Sequence, residues 1–222
     1  MINIYKFVIY FIIYSFIGWI LEVIYCLFTE KKFVNRGFLI GPICPIYGCG
    51  VLLIVLLIDG NISDLLSVFL KSILICSILE YFTSYIMEKL FKARWWDYSN
   101  RKFNINGRIC LETMLPFGIL GCLVVIFVHP FFSNLVGMFS DCTIKIIGIT
   151  LFVLLISDIF ISMNVMSKIK DEISSYYVDS TEIVRKKVTS WLKSNSVLFK
   201  RIIYAFPKFR IIKRVKERIK KQ

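Results

Sequence analysis

Histidine occurs once in this chain of 222 residues, as His129, and no two of its seven cysteines form a CxxC pair. A zinc site therefore has almost nothing to draw on. The thiols Cys26, Cys44, Cys49, Cys76, Cys110, Cys122 and Cys142 are odd in number and lie mostly in apolar runs, where they read as small hydrophobes. No GxxxxGK[ST] phosphate loop is present, so the chain cannot hydrolyse ATP by that route. Charge is scarce as well. Only 19% of residues are charged, against 57% hydrophobic and 16% aromatic, and mean hydropathy is +0.72. A soluble domain is nearer a quarter charged and about half apolar, and one core of this size could not hide the excess. These shortages exclude a soluble enzyme, a disordered tail and a secreted disulfide scaffold. A polytopic membrane protein remains.

What charge there is leans one way, with 28 Lys/Arg against 15 Asp/Glu. The lean is local. Residues 167–222 hold 16 basic and 5 acidic groups, and residues 1–166 hold 12 and 10. The sequence therefore divides into a membrane domain, 1–166, and a basic tail, 167–222. In the tail, apolar residues such as Ile183, Trp191, Ile202, Ile211 and Ile219 recur at helical spacing among the charges. That pattern predicts amphipathic helices lying on anionic lipid headgroups. Nucleic acid is the rival partner for such charge, and the apolar stripe and membrane tether favour lipid.

A spanning helix needs about 20 mostly apolar residues. Five segments qualify: Ile4–Phe28, Phe38–Ile58, Leu65–Met87, Ile109–Phe132 and Thr143–Met166. The first is too long for a signal-peptide core and lacks a basic leader and a small-residue cleavage site, so it is expected to stay in the mature chain. The first and third gaps are basic, carrying Lys31, Lys32 and Arg36, then Lys89, Lys92, Arg94, Arg101, Lys102 and Arg108; the second and fourth carry no Lys or Arg. Basic loops stay inside. The sequence thus predicts an all-α bundle of five transmembrane helices, N-terminus out and C-terminus in, in a bacterial plasma membrane. Ile20-Leu21-Glu22 and Ile78-Leu79-Glu80, Asn35-Arg36-Gly37 and Asn106-Gly107-Arg108, and Pro45 and Pro116 also suggest a duplicated helical hairpin.

Four acids fall inside these spans: Glu22, Glu80, Glu112 and Asp158. Each costs about 2.5–3.5 kcal/mol on insertion scales, so such groups face the bundle interior and mark function. On the predicted topology all four sit in the cytoplasmic half. Ser15, Gly18 and Glu22 share one helical face, as do Ser77, Glu80 and Ser84, and Asp158 and Ser162. The expectation is one polar chamber open to the inside, with Arg36 and Arg108 as basic partners. The plainer reading is a set of buried Glu–Arg and Glu–Asn locks that fix helix packing. A proton relay is a third, weakened by the lack of histidine in that half.

Between the third and fourth spans lies the densest polar stretch, with Trp95, Trp96, Asp97, Tyr98, Asn106 and Arg108. It reads either as an aromatic anchor at the headgroup layer or as a re-entrant lid over the carboxylates. Within the second span, Pro42 and Pro45 each remove an amide donor and disrupt the helix. Broken helices at membrane depth survive only where protein or a wet cavity satisfies the freed groups, which points to a binding cavity or a simple kink.

Asn35-Arg36-Gly37-Phe38-Leu39-Ile40-Gly41-Pro42, with Gly18-Trp19-Ile20-Leu21-Glu22 before it and Pro45-Ile46-Tyr47-Gly48 after, resembles the bacterial family of CmpB-type ABC-transporter permeases. Glu80-Tyr81, Trp95-Trp96-Asp97-Tyr98-Ser99 and Asn104-Ile105-Asn106-Gly107-Arg108 followed by Glu112 match it too. The likeness covers roughly residues 7–130 and leaves out the tail. It implies an integral membrane permease needing a separate ATPase subunit, and five spans imply a homodimer. The reading is a non-enzymatic transport subunit without catalytic residues, metal or cofactor. Its substrate site would use Glu22, Glu80, Glu112, Arg36, Arg108, Asn35, Asn106, Pro42, Pro45 and Trp95 to Tyr98, with Asp158 nearby. The alternatives are a scaffold whose carboxylates only lock helices and whose tail binds lipid or protein, and an intramembrane enzyme acting on lipid headgroups.

Overall fold

The computed structural model describes residues 3–58, 64–91, 93–175 and 210–211. Helix α1 (Ile4–Glu30) starts at Asn3, whose side-chain oxygen accepts from the Tyr5 amide at 3.1 Å, an N-cap that satisfies an orphan donor. It ends where Lys31 turns left-handed at φ 52°. Helix α2 (Pro45–Leu57) carries Pro45 in its first turn, the one place in a helix where a missing amide costs nothing. Helix α3 (Leu65–Phe91) follows Asp64, which accepts from the Ser67 amide. Helix α4 (Leu111–Leu123), a π-helical turn (Val124–Val128) and helix α5 (His129–Gly137) run on as one apolar column. Helix α6 (Asp141–Ser175) closes the described bundle. Its 35 residues make about 52 Å of helix, well beyond a hydrocarbon core of about 30 Å.

The described residues also hold four two-residue strands: β1 (Ala93–Arg94), β2 (Asn104–Ile105), β3 (Ile109–Cys110) and β4 (Arg210–Ile211). β2 pairs with β3 and β1 with β4, both antiparallel. The composition boundary at residue 166 falls inside α6, which runs through it unbroken. Apart from the end of α6 and β4, the amphipathic helices expected in the tail lie outside the described residues.

Among the described residues, four stretches are long and apolar enough to cross a membrane: Ile4–Thr29, Leu65–Phe91, Leu111–Gly137 and Asp141–Lys168. They correspond to four of the five expected spans. The second, Phe38–Ile58, differs: only Pro45–Leu57 is helical, and its 13 residues are too few to span alone. Prolines 42 and 45 explain the shortening, since neither can donate to a preceding turn. The chain ahead of Pro45 is non-helical, and the Cys44 amide donates to the carbonyl of Ser15 at 2.9 Å instead. The unwound stretch therefore lies before Pro45, while Gly48 and Gly50 are helical.

Direction alternates. α1, α3 and α6 run one way, and α2 and α4–α5 the other: Thr113 lies against Glu80 and Cys122 against the Leu65 carbonyl, and the helices cross closely where Ser15 meets Gly48, Ser72 meets Gly121 and Tyr5 meets Gly148. The glycines at the first two crossings are obligatory. A Cβ at Gly48 would meet the Phe11 carbonyl oxygen at 2.7 Å, and one at Gly121 would overlap the Ser72 hydroxyl. Such small-on-small crossings let backbones approach without a void. Away from the strands and straps, Ile9, Val136 and Ile144 form one apolar cluster and Ile54, Ile58, Val68 and Val124 another. Outward faces are apolar too, with Phe82, Phe127, Leu154 and Phe160 exposed, the arrangement a lipid solvent favours.

Two hairpins share part of one plan: α1 and α3 have 27 residues each and each is followed by a polar connection, but α2 ends after 13 residues whereas α4 runs on through α5 to Gly137. The repeat is inexact: Pro45 begins α2, whereas Pro116 sits within α4.

Candidate functional site: two re-entrant straps over a buried carboxylate

Both polar connections fold back along the helix that precedes them. The first strap, residues 31–44, brings Asn35 to Trp19, whose indole Nε1–H donates to Asn35 Oδ1 at 2.7 Å. It also brings the Arg36 guanidinium to Glu22 Oε2 at 3.4 Å and over the Tyr25 ring. By Cys44 the chain is level with Ser15, which is 15 residues, or about 22 Å, back along α1. Unwound backbone at that depth needs acceptors for its amides. Asp158 of α6 supplies them. Its Oδ1 accepts from the Ile40 amide at 3.0 Å and its Oδ2 from the Gly41 amide at 2.9 Å, with the Ser162 hydroxyl also donating to Oδ1. Pro42, which has no amide, stands exposed beside them.

The second strap, residues 93–110, is held by a turn at Asn106 (φ 52°) and Gly107 (φ 67°), the left-handed pair that Asn-Gly supplies. The Arg108 amide donates back to the Ile105 carbonyl at 3.0 Å and the Tyr98 amide to the Gly107 carbonyl at 2.8 Å. Trp96 Nε1–H donates to the Arg108 carbonyl at 3.0 Å. From this frame Asn106 reaches the Tyr81 hydroxyl at 2.9 Å, and the Tyr98 hydroxyl donates to Glu80 Oε1 at 3.3 Å. Glu80 lies 11 residues, or about 16 Å, before the end of α3. The segment that reads as either an anchor or a lid is thus a strap that lies along α3.

The straps meet in an aromatic clasp. Phe38 of the first lies 5.9 Å, centroid to centroid, from Trp95 of the second, and both contact Phe91 at the end of α3. Trp95 is buried there.

Behind the clasp sit two carboxylates. Glu22 accepts from the Tyr47 hydroxyl at 2.8 Å as well as pairing with Arg36. Glu80, only 8% exposed, accepts from Tyr98 and, at 3.5 Å, from Thr113. The two acids lie within electrostatic reach of each other. Burial first, and then the neighbouring Glu80, Cys110 and Glu22, push the Tyr98 phenol up, so it remains an O–H donor.

The other expected residues go elsewhere. Glu112 is not brought to the cluster: it is exposed and pairs with Arg101 at 3.0 Å. Helical phase is the reason, because Thr113, the next residue, is the one turned towards Glu80. Arg108, also expected beside the carboxylates, instead pairs with Glu88 at 2.9 Å, donates to Ser84 and lies over the rings of Tyr81 and Tyr85. Asp97 pairs with Arg94, which also holds Glu88. Asp158 serves the first strap rather than the carboxylate pair. The single convergence expected of four acids is therefore two acids meeting and two acting apart. Tyr47, Glu88 and Thr113 belong to the cluster and its frame without having been singled out. Glu88 had a signal, since Ser77, Glu80, Ser84 and Glu88 recur at helical spacing. Among the described residues no group of three or more His, Cys, Asp or Glu is placed to hold a metal ion.

Four membrane-length helices, a proline-started half-helix and polar straps at membrane depth define a multi-pass helical membrane protein. The chain belongs to the family described as "Putative ABC-transporter type IV", whose family model matches residues 9–163. That match runs on into α6, past the limit near residue 130 that the motifs had suggested. No curated protein and no solved structure matches the chain.

Proposed function

We propose that the chain is the membrane-embedded subunit of an ABC-type transporter, with a substrate-contacting site at Glu22, Tyr47, Glu80, Tyr98 and Thr113. The observation that carries this reading is the pair of non-helical straps folded back over two carboxylates. Unwound backbone is kept at such depth where it lines a path or site. Closed by the Phe38–Phe91–Trp95 clasp, the site is occluded, and parting of the straps opens it to the side of the basic loops. That side is the cytoplasm, with the N-terminus outside. In support, the chain has no phosphate loop of its own, so a separate ATPase drives the cycle, and a second copy of this chain completes the pathway. The basic tail rests on anionic lipid, at about 1 kcal/mol per Lys or Arg near the surface.

Orientation is checked by membrane-impermeant maleimide on intact cells. Cys142, exposed at the start of α6, is expected to label from outside, whereas a cysteine at exposed position 100, made in a Cys142→Ser background, labels only after the membrane is opened. The reverse pattern overturns the orientation.

The transport reading is checked by purifying the tagged chain from its own host's membranes. A P-loop ATPase is expected to co-purify in stoichiometric amount, and Glu80→Gln to lower the complex's ATPase rate in vesicles at least tenfold while leaving its assembly intact. Absence of any ATPase, or an unchanged rate, counts against it. A scaffold is favoured by one observation, that both carboxylate oxygens of Asp158 hold strap amides; it predicts loss of stability without loss of ATPase coupling.

A further inference from the structure

Compensation separates Glu80 from the other acids of the bundle. Glu22 has Arg36, Glu88 has Arg94 and Arg108, Asp97 has Arg94, and Asp158 has two backbone amides. Glu80, the most deeply buried of the acids described, has only two hydroxyls, at 3.3 and 3.5 Å. Two long hydroxyl bonds do not offset the desolvation of a carboxylate in a low-dielectric interior. The groups facing it from the surrounding elements add no positive charge. They are Glu22 of α1, Tyr47 of α2, Tyr98 of the second strap and Thr113 of α4, with Cys76 on α3 itself. The nearest cations are committed, Arg36 to Glu22 and Arg108 to Glu88. One turn before Glu80 and on the same face of α3, the buried Ser77 hydroxyl has no hydrogen-bond partner. An ionised Glu80 would therefore leave the closed cluster with one uncompensated negative charge, near the idle Ser77 hydroxyl.

We infer that Glu80 is a proton-binding site that loads while the straps are open and holds the proton while they are closed. This rests on the transport reading above for its purpose but not for its chemistry. On opening, a hydronium ion from the strap-side water gives its proton to a Glu80 carboxylate oxygen and leaves as water. The resulting neutral carboxyl has an O–H beside the Thr113 hydroxyl oxygen, which lies 3.5 Å from Glu80 Oε2 and can accept because its own proton goes to the Cys110 carbonyl at 2.9 Å. Unloading is the reverse transfer to water.

The test is infrared difference spectroscopy of the full chain in lipid nanodiscs, titrated with acid. A C=O stretch of a protonated carboxyl, resolved from the amide bands, is expected to grow as pH falls. It should vanish in Glu80→Gln, shift in frequency in Glu80→Asp and persist in Glu112→Gln. Repeating the titration with sodium replaced by N-methylglucamine should leave the band unchanged. A band that survives Glu80→Gln, a wild-type chain with no such band, or a carboxylate band that moves with sodium instead of acid each overturns the inference. Because the readout is bond protonation, it stands or falls separately from the ATPase coupling.

Discussion

Replacing Arg108 with Ala is expected to destabilise the bundle by about 3 kcal/mol, the low end of the range for breaking a buried ion pair. Arg108 is 7% exposed and makes four separate contacts, to Glu88, Ser84 and the faces of Tyr81 and Tyr85. Its loss leaves Ser84 buried without a donor and Glu88 with Arg94 alone, which is why the low end applies. Lysine in its place should recover only part of the loss. An ammonium can pair with Glu88, but it lacks the planar fork that bonds two oxygens while lying over rings. Thermal unfolding in detergent measures both variants, and an Arg108→Ala protein as stable as the parent would mean that this ion pair is not formed.

Asp158→Ala should free the first strap. It removes the acceptor of two amides, Ile40 and Gly41, at membrane depth, and each orphaned donor costs about 1–3 kcal/mol. Ile40 keeps a second acceptor in the Ser162 hydroxyl at 3.1 Å, so the summed effect is nearer 3 kcal/mol than 6. Read by hydrogen exchange, that is about 100-fold faster exchange at these two amides, with little change at α3. Asp158→Asn retains one carbonyl oxygen and should fall between. Exchange unaltered in the alanine variant would remove Asp158 from the strap's support.

Much of the bundle was legible because its signals are local. Runs of about 20 apolar residues fix helices wherever lipid is the solvent, and four of five such runs became membrane-length helices. The second did not, because hydropathy counts Phe38 to Leu57 alike and ignores that prolines 42 and 45 and the Asp158 carboxylate offer that backbone a better arrangement than a helix. Helical spacing correctly turned Ser77, Glu80 and Ser84 inward, since all three are buried. Glu112 had no such spacing to support it, and a single residue of phase gives it the solvent-facing position while Thr113 turns towards Glu80. Pairings such as Arg108 with Glu88, or Asp158 with Ile40, 118 residues apart, depend on how the straps fold back, and no periodicity encodes that.

The half-helix α2 has a consequence for how the protein enters its bilayer. Thirteen residues make about 20 Å, short of the hydrocarbon thickness, and the chain before them leans on other helices for its amides, on Ser15 of α1 and on Asp158 and Ser162 of α6. A segment like this cannot be threaded into lipid as an independent unit. It has to be seated after α1 and α3 are in place, and its strap is not secured until α6, the last of the four long helices to leave the ribosome, has arrived.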